Sequence, residues 1–413
     1  MKYGCIAQRL THSYSKEIHA LLADYDYQLR EVAPEALDAF MRARDFKAIN
    51  VTIPYKQAVI PYLAHIDPQA EAIGAVNTIV NRNGMLYGYN TDFYGMSQLL
   101  ARNHIALSGK KVLILGTGGT AKTAAAVATH QQAATVLKVS RTPREADTVS
   151  YADARALHHD AAVIINTTPC GMFPAWDDTP LDLTAFDRLE GVIDAIYNPL
   201  RSRLVQAAKA RGIPAEGGLY MLVAQAAAAT EHFTGASLPA NAIANAYQGV
   251  LAQKENLVLT GMPGSGKTTV GQAVADALGR PFVDMDAEIE QQAGCTIASI
   301  FAQKGEAAFR DLETQVAKQL APCTGLVIAT GGGAVLRDEN LSALRANGKL
   351  FFIDRPLEQL VPTGDRPTAQ SAAALQMRFH ERYDRYCQSC DVRIASNGVA
   401  PHVTQQVLKE WKA

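Results

Sequence analysis

The stretch LVLTGMPGSGKTT, residues 257–269, runs from an apolar strand straight into a glycine-rich loop that ends in Lys-Thr-Thr. Its centre, GMPGSGKT at 261–268, fits GxxxxGK[ST] in full. In that pattern glycines let successive backbone N–H groups wrap the phosphates of a nucleoside triphosphate. The lysine reaches the β- and γ-phosphates and the hydroxyl of the last residue holds Mg2+. Gly264, Ser265, Gly266, Lys267, Thr268 and Thr269 are therefore expected at the nucleotide, with Thr268 on the metal. The loop sits between a strand and a helix, the context the pattern requires; a plain glycine turn is the alternative. A second glycine-rich loop of different design, VLILGTGGTAK at 112–122, precedes it in the same chain.

Working outward, 413 residues predict two or three domains at about 100–200 residues each. The net charge is −1 and both halves are near neutral, so neither has the basic surplus of a nucleic-acid binder. The N-terminal MKYGCIAQRLTHSYSKEIHALL shows no signal-peptide pattern, and no run reaches the ~18 apolar residues of a membrane helix. A cytoplasmic location without membrane partners is expected. The six cysteines are then expected as free thiols. Cys387 and Cys390 form one CxxC, and a structural zinc site needs four ligands.

Short β-branched runs alternate with Ala-rich helical segments throughout, the pattern of α/β folds with parallel sheets. Strands are expected in 47–55, 111–116, 135–141, 161–169 and 191–197, and again in 256–261, 282–286, 326–333, 349–354 and 391–395. A helix is expected over 121–132. ANAIANAYQGVLAQ at 240–253 reads as a terminal helix, so the seam falls near 253, with domains 1–253 and 254–413.

In the second half, FVDMDAEIE places Asp284 and Asp286 at a strand end. One carboxylate near Mg2+ and one facing an acceptor hydroxyl suits phosphoryl transfer, although an isolated Asp-x-Asp is also a common helix cap. Arg310 (KGEAAFRDLE), the triple glycine of ATGGGAV, Arg366 (TGDRPT) and Arg382 (RYDRY) read together as a carboxylate clamp with a lid; each arginine alone could be a surface residue. These motifs, in this order over residues 256–413, resemble shikimate kinase. The resemblance implies ATP as the nucleotide, shikimate hydroxyls on Asp286, and the shikimate carboxylate on Arg310 and Arg382. Gly332 would pack against the substrate, Arg366 would close over ATP, and Asp284 would sit near Mg2+ through water. Two departures stand out: Arg366 is followed by Pro-Thr-Ala where the family usually has Arg-Pro-Leu-Leu, and YDR replaces a usual proline near Arg382.

In the first half, GTGGTA at 116–121 follows a strand and opens a helix, so Gly116, Thr117, Gly118, Gly119, Thr120 and Ala121 are expected at a dinucleotide pyrophosphate; glycine turns without ligands imitate such a motif, and the test is the end of the next strand. An acid at the end of the next strand would select NAD and an arginine NADP. The sequence there is SRTPR, with Arg141 and Arg144 and no carboxylate, so NADP is expected, with Ser140, Arg141 and Thr142 around its adenosine phosphate. On the substrate side, THSYSKEIH, NVTIPYK, GAVNT and GYNTDFYG contribute Ser13, Ser15, Thr52, Lys56, Asn77 and Asp92. Each has an ordinary reading: a helix cap for Ser15, an exposed Lys56, a turn at Asn77, a capping Asp92. Together they supply hydroxyl partners and a Lys–Asp pair able to protonate the oxygen formed when hydride reaches a ketone.

These motifs, with NTTPCGM, DAIYNP and GGLYMLVAQA, resemble shikimate dehydrogenase across residues 1–252. The resemblance implies a substrate lobe at about 1–105 plus 220–253 and a Rossmann NADP lobe at about 106–219. It puts the shikimate carboxylate on Ser13 and Ser15 and its hydroxyls on Thr52, Asn77, Asp92 and Gln225, with Tyr197 nearby. It makes Lys56 the acid/base paired with Asp92, and lays Ala195 and Gly218 along the nicotinamide. Here Ser140 replaces the family's usual Asn.

Joined, the halves imply consecutive reactions: NADPH reduces 3-dehydroshikimate, and MgATP phosphorylates the resulting shikimate, with Lys56, Asp92, Lys267 and Asp286 as catalytic groups. Alternatives are a broader quinate/shikimate dehydrogenase fused to the kinase, or one active domain with the other a scaffold or shikimate sensor. The intact Lys56/Asp92 and Lys267/Asp286 sets argue against the last.

Overall fold

The computed structural model describes residues 1–10, 13–360 and 372–412. The chain divides into two compact units, Met1–Leu251 and Ala252–Ala413.

The first unit holds two six-stranded sheets. The strands of the substrate lobe are β1 (Tyr3–Ala7), β2 (Tyr27–Glu31), β3 (Ala48–Val51), β4 (His65–Ile66), β5 (Thr78–Arg82) and β6 (Met85–Tyr89), in the order β2-β1-β3-β5-β6-β4. This sheet is mixed, unlike the parallel sheet that the alternating pattern predicts: β3–β5 and β5–β6 pair antiparallel. The cause is local. Asn83 and Gly84, both at positive φ, make a tight turn that sends β6 back along β5. Alternating burial along β6 is the mark of a strand with one wet face. The expected strand over 47–55 stops at Val51, because residues 52–55 form a turn closed by Tyr55 N–H on the Thr52 carbonyl.

The second lobe contains β7 (Lys111–Leu115), β8 (Thr135–Val139), β9 (Thr148–Val149), β10 (Val163–Asn166), β11 (Gly191–Asp194) and β12 (Ala215–Glu216). They lie parallel in the order β9-β8-β7-β10-β11-β12, which is the 3-2-1-4-5-6 order of dinucleotide-binding sheets. Apolar clusters cover both faces, one around Val112, Ile114, Val163 and Ile165, the other around Leu113, Leu115, Ile164 and Val192. Burial on both faces is why these strands read as continuous apolar runs. The chain reverses direction across the sheet between β7 and β10, so their C-terminal ends open the crevice where such folds bind ligands. Helices Thr91–Arg102 and Leu219–Thr234 carry the chain between the lobes and pack on each other.

The second unit is one parallel sheet, formed by β13 (Asn256–Thr260), β14 (Phe282–Asp284), β15 (Val327–Ala329), β16 (Gly348–Asp354) and β17 (Val392–Ala395), in the order β14-β15-β13-β16-β17. Leu257, Leu259, Val327, Phe351 and Ile353 centre its core. The phosphate loop and the triple glycine follow β13 and β15, and Asp284 ends β14, so all three lie at the same, C-terminal edge. Among the described residues, no helix is long and apolar enough to cross a membrane. All six cysteines are free thiols.

Candidate active sites

Lys56 and Asp92 meet in the first unit. Lys56 Nζ donates to Asp92 Oδ2 at 2.5 Å, and the two side chains are 13 % and 8 % exposed. Lys56 lies in the turn after β3, and Asp92 in the first turn of helix Thr91–Arg102. The cap of that helix is Asn90, whose Oδ1 accepts from the Phe93 N–H; Asp92 does not serve as the cap. An exposed lysine and a capping aspartate, the ordinary readings, do not describe these residues. Nor does a turn describe Asn77. It is buried, its Oδ1 accepts from Thr91 N–H at 2.8 Å, and its Nδ2 donates to Thr91 Oγ1 at 3.0 Å and Gln225 Oε1 at 3.3 Å.

Ser15 opens helix Ser15–Leu22 but supplies no side-chain cap; its N–H donates to Ser13 Oγ at 3.3 Å. Tyr197 packs on Tyr14, with ring centroids 5.2 Å apart, and burial holds its phenol above the usual range. Thr52 stays half-exposed at the end of β3.

The glycine loop leaves β7 through Gly116 at φ 109, where a Cβ would fall 2.9 Å from Thr167 Oγ1 on the neighbouring β10 connection. Only glycine fits that conformation and that approach. Thr117 and Gly118 are exposed, and helix Gly119–His130 starts with no side-chain cap, leaving its first N–H groups for an anion. It begins two residues earlier than the sequence suggests, because Gly119 and Thr120 score poorly as helix formers. A Cβ on Gly119 would lie 3.6 Å from Lys56 Cδ, so the loop borders Lys56. Ser140 Oγ accepts from the Thr142 N–H, while Arg141 and Arg144 are solvent-exposed beyond β8. Gly218 is pressed onto the Ala195 carbonyl, 2.2 Å from any Cβ it could carry.

Beneath that contact lies a network the sequence did not reveal. Asp194 is fully buried and accepts from Ser202 Oγ (2.5 Å), Ile196 N–H (3.0 Å) and Asn166 Nδ2 (3.0 Å). Burial outweighs these donors and pushes its carboxyl up to about 7. The network ties the NTTPCGM and DAIYNP segments together.

In the second unit Lys267 is buried and donates to the carbonyls of Gly261 and Met262, both at 2.9 Å. Gly266, at φ 91, opens helix Lys267–Leu278 without a side-chain cap. Thr268 Oγ1 lies 2.7 Å from Asp284 Oδ2, a hydroxyl–carboxylate pair of the kind that holds Mg2+. Asp284 Oδ1 also caps the next helix by accepting from Asp286 N–H at 2.9 Å. Asp286 thus belongs to the first helical turn, whereas the sequence places both aspartates at the strand end.

The triple glycine is enclosed by charged groups. A Cβ on Gly331 would lie 2.6 Å from Asp286 Oδ1 and 2.9 Å from Glu313 Oε1, and one on Gly333 would strike the Arg310 guanidinium. Gly332 is closed off by the Pro263 ring, and its carbonyl accepts from Arg382 and Tyr386. Arg310 is held by Glu313 and Glu306, both at 3.0 Å. Arg382 is 1 % exposed, and among the described residues its Nε and a terminal nitrogen have no hydrogen-bond partner, nor does Glu313 Oε1. Buried orphan donors are costly; here they fit an anionic ligand. Sequence reasoning missed Glu313, although its i+3 spacing from Arg310 signals a same-face partner. Arg366 lies outside the described residues.

A doubly wound lobe beside a part-buried lysine–carboxylate pair defines the class of a dinucleotide-dependent oxidoreductase, and the complete phosphate loop that of a small-molecule kinase. Residues 5–79 match the family model for the shikimate dehydrogenase substrate binding domain, and residues 263–412 the one for shikimate kinase. The shikimate dehydrogenase (NADP(+)) of Geobacillus kaustophilus is 40 % identical over 259 residues, covering 56 % of this chain and 92 % of that protein. Shikimate dehydrogenase 1 from Peptoclostridium difficile superimposes with a TM-score of 0.56 at 30 % identity, over 60 % of this chain and 98 % of that one. The enzyme from Thermus thermophilus, solved with NADP(H) and shikimate, gives 0.54 at 29 %, over 60 % and 98 %. The chain belongs to the shikimate dehydrogenase family and carries a shikimate kinase domain after it.

Proposed function

We propose that the first unit reduces 3-dehydroshikimate to shikimate with NADPH and that the second phosphorylates shikimate at its 3-hydroxyl with MgATP, in the cytoplasm. The observation that carries this reading is the part-buried Lys56–Asp92 pair beside Gly119, in a chain whose second half sets Lys267 on the glycine-loop carbonyls and Thr268 against Asp284.

Bound NADPH supplies the hydride. Lys56, held by Asp92, gives a proton to the carbonyl oxygen as the carbon is reduced, so ketone becomes secondary alcohol and charge balances. Asn77 and Gln225 hold the ring hydroxyls, and Ser13 and Ser15 the carboxylate. In the kinase, Arg310 and Arg382 hold that carboxylate and Asp286 accepts the proton of the attacking hydroxyl. Lys267 leaves its loop carbonyls for the transferring phosphate. Thr268 and Asp284 would hold Mg2+, which would supply divalent charge at the phosphates, and ATP would supply the phosphoryl group.

Crossed substitutions test the assignment. Lys56→Ala lowers reduction by about 10²–10⁴-fold and spares phosphorylation; Lys267→Ala does the reverse. Loss of both activities from either change, in folded protein, contradicts separate sites.

A further inference from the structure

Behind Asn77 runs a chain of buried polar groups with no part in the proposed chemistry. Thr78, Asn50 and His19 are 0 %, 7 % and 0 % exposed. His19 sits in helix Ser15–Leu22, Asn50 in β3 and Thr78 at the start of β5. His19 Nε2 lies 3.1 Å from Asn50 Oδ1, which also accepts from Tyr27 O–H at 2.7 Å. Asn50 Nδ2 donates to the Asn77 carbonyl at 3.3 Å and to Thr78 Oγ1 at 3.2 Å. Thr78 Oγ1 is in turn 3.0 Å from Asn77 Oδ1 and 3.1 Å from Thr91 Oγ1.

The donor count gives this chain a direction. With Asn50 Nδ2 spent on two acceptors, Asn50 Oδ1 must receive, so His19 carries its proton on Nε2 and Nδ1 accepts from Tyr25 O–H at 2.7 Å. Burial keeps the imidazole neutral, its pKa pushed down to about 3, and Tyr27 stacks on it with centroids 3.9 Å apart. Thr91 Oγ1 receives from Asn77 Nδ2 and can donate on to Gln225 Oε1. Thr78 already receives from Asn50, so its single proton goes forward, to Asn77 Oδ1. Fed by Thr78 O–H and by Thr91 N–H, Asn77 Oδ1 is fixed as an acceptor towards the protein. The amide cannot flip without facing donors with donors.

We propose that Thr78, backed by Asn50 and His19, is a positioning residue of the dehydrogenase: it locks the Asn77 amide with its NH2 on the side of Gln225, so that the N–H resting on Gln225 Oε1 at 3.3 Å passes to the substrate hydroxyl when substrate enters. The inference rests on the reading that Asn77 holds that hydroxyl.

Four variants of the full chain test it: Thr78→Val, Thr78→Ser, Asn77→Ala and the double Asn77→Ala/Thr78→Val. Each is assayed for the KM of shikimate and of NADP+ in the oxidative direction, with thermal unfolding as the control for folding. Thr78→Val keeps the shape and removes the relay. It raises the KM of shikimate about tenfold, the equivalent of one hydrogen bond of about 1.4 kcal/mol, and leaves the KM of NADP+ alone. Thr78→Ser restores the KM to within about twofold. With Asn77→Ala already present, Thr78→Val costs nothing more. Equal losses in both backgrounds, a parallel rise in the KM of NADP+, or no rescue by serine overturn the proposal. If Asn77→Ala itself leaves the KM of shikimate unchanged, the assignment of Asn77 to the substrate fails first and the proposal falls with it. Should Thr78→Val not fold, His19→Phe, which keeps the stacked ring and loses the Nε2 donor, replaces it in the same cycle.

Discussion

Two lysines are held by different groups. Lys56, part-buried, is bound to the Asp92 carboxylate at 2.5 Å, and Lys267, buried, donates to two loop carbonyls, each at 2.9 Å. The difference matches the two proposed chemistries. A lysine that must deliver a proton to one oxygen has to be held in place by a fixed counter-charge. A lysine that must neutralise an arriving phosphate needs partners it can leave, and carbonyl dipoles hold an ammonium less strongly than a carboxylate does.

Arginine in place of each lysine breaks this comparison most severely. Arg keeps the charge but does not give up its proton. Lys56→Arg therefore loses nearly as much reductase turnover as Lys56→Ala, about 10²–10⁴-fold. Lys267→Arg retains more kinase turnover than Lys267→Ala, because its role is charge. Equal residual activity for Arg and Ala at both positions would erase the distinction. A smaller effect is expected at the adenosine end. Arg141→Gln lowers the preference for NADPH over NADH by about 10–100-fold, the worth of one charge-assisted hydrogen bond, read as the ratio of kcat/KM values, with kinase kinetics unchanged.

The smallest effect concerns stability. Asp194 is raised to about 7 by burial, from its ordinary value near 3.8. The folded unit therefore binds a proton there that the unfolded chain has released. The stabilisation is fully present below the unfolded pKa and is lost as pH rises towards 7. The difference in Tm between the parent and Asp194→Asn should shift against the parent between about pH 4 and pH 7, then level off. A difference that is flat over this range places the Asp194 carboxylate in its charged form.

The same contrast between regions explains what the sequence revealed. The parallel strands with two buried faces, VLIL, VIIN and NLVLT, are legible because their central positions are all apolar. In the substrate sheet β2 and β6 interleave exposed residues. The two-residue strands, β4 there and β9 and β12 in the dinucleotide lobe, are too short for any period. Groups proposed to contact a ligand belong to recognisable motifs, so Lys56, Asp92 and Lys267 are legible in the sequence. Groups that act from behind do not. Thr78 reads as an ordinary β-former, Asn50 as a break in an apolar strand, and Glu313 as one more acid on a long helix. Their significance comes from partners distant in sequence, such as His19 for Asn50 and Gly331 for Glu313, and pattern alone does not bring those together.

The most direct test of the central claim is one incubation of the purified chain with 3-dehydroshikimate, NADPH and MgATP, with products resolved by mass. Two consecutive reactions in one chain predict shikimate 3-phosphate, formed with one NADPH oxidised for each phosphoryl transferred. Shikimate that accumulates without phosphate, or no shikimate at all, contradicts that claim and shows which of the two sites was misread.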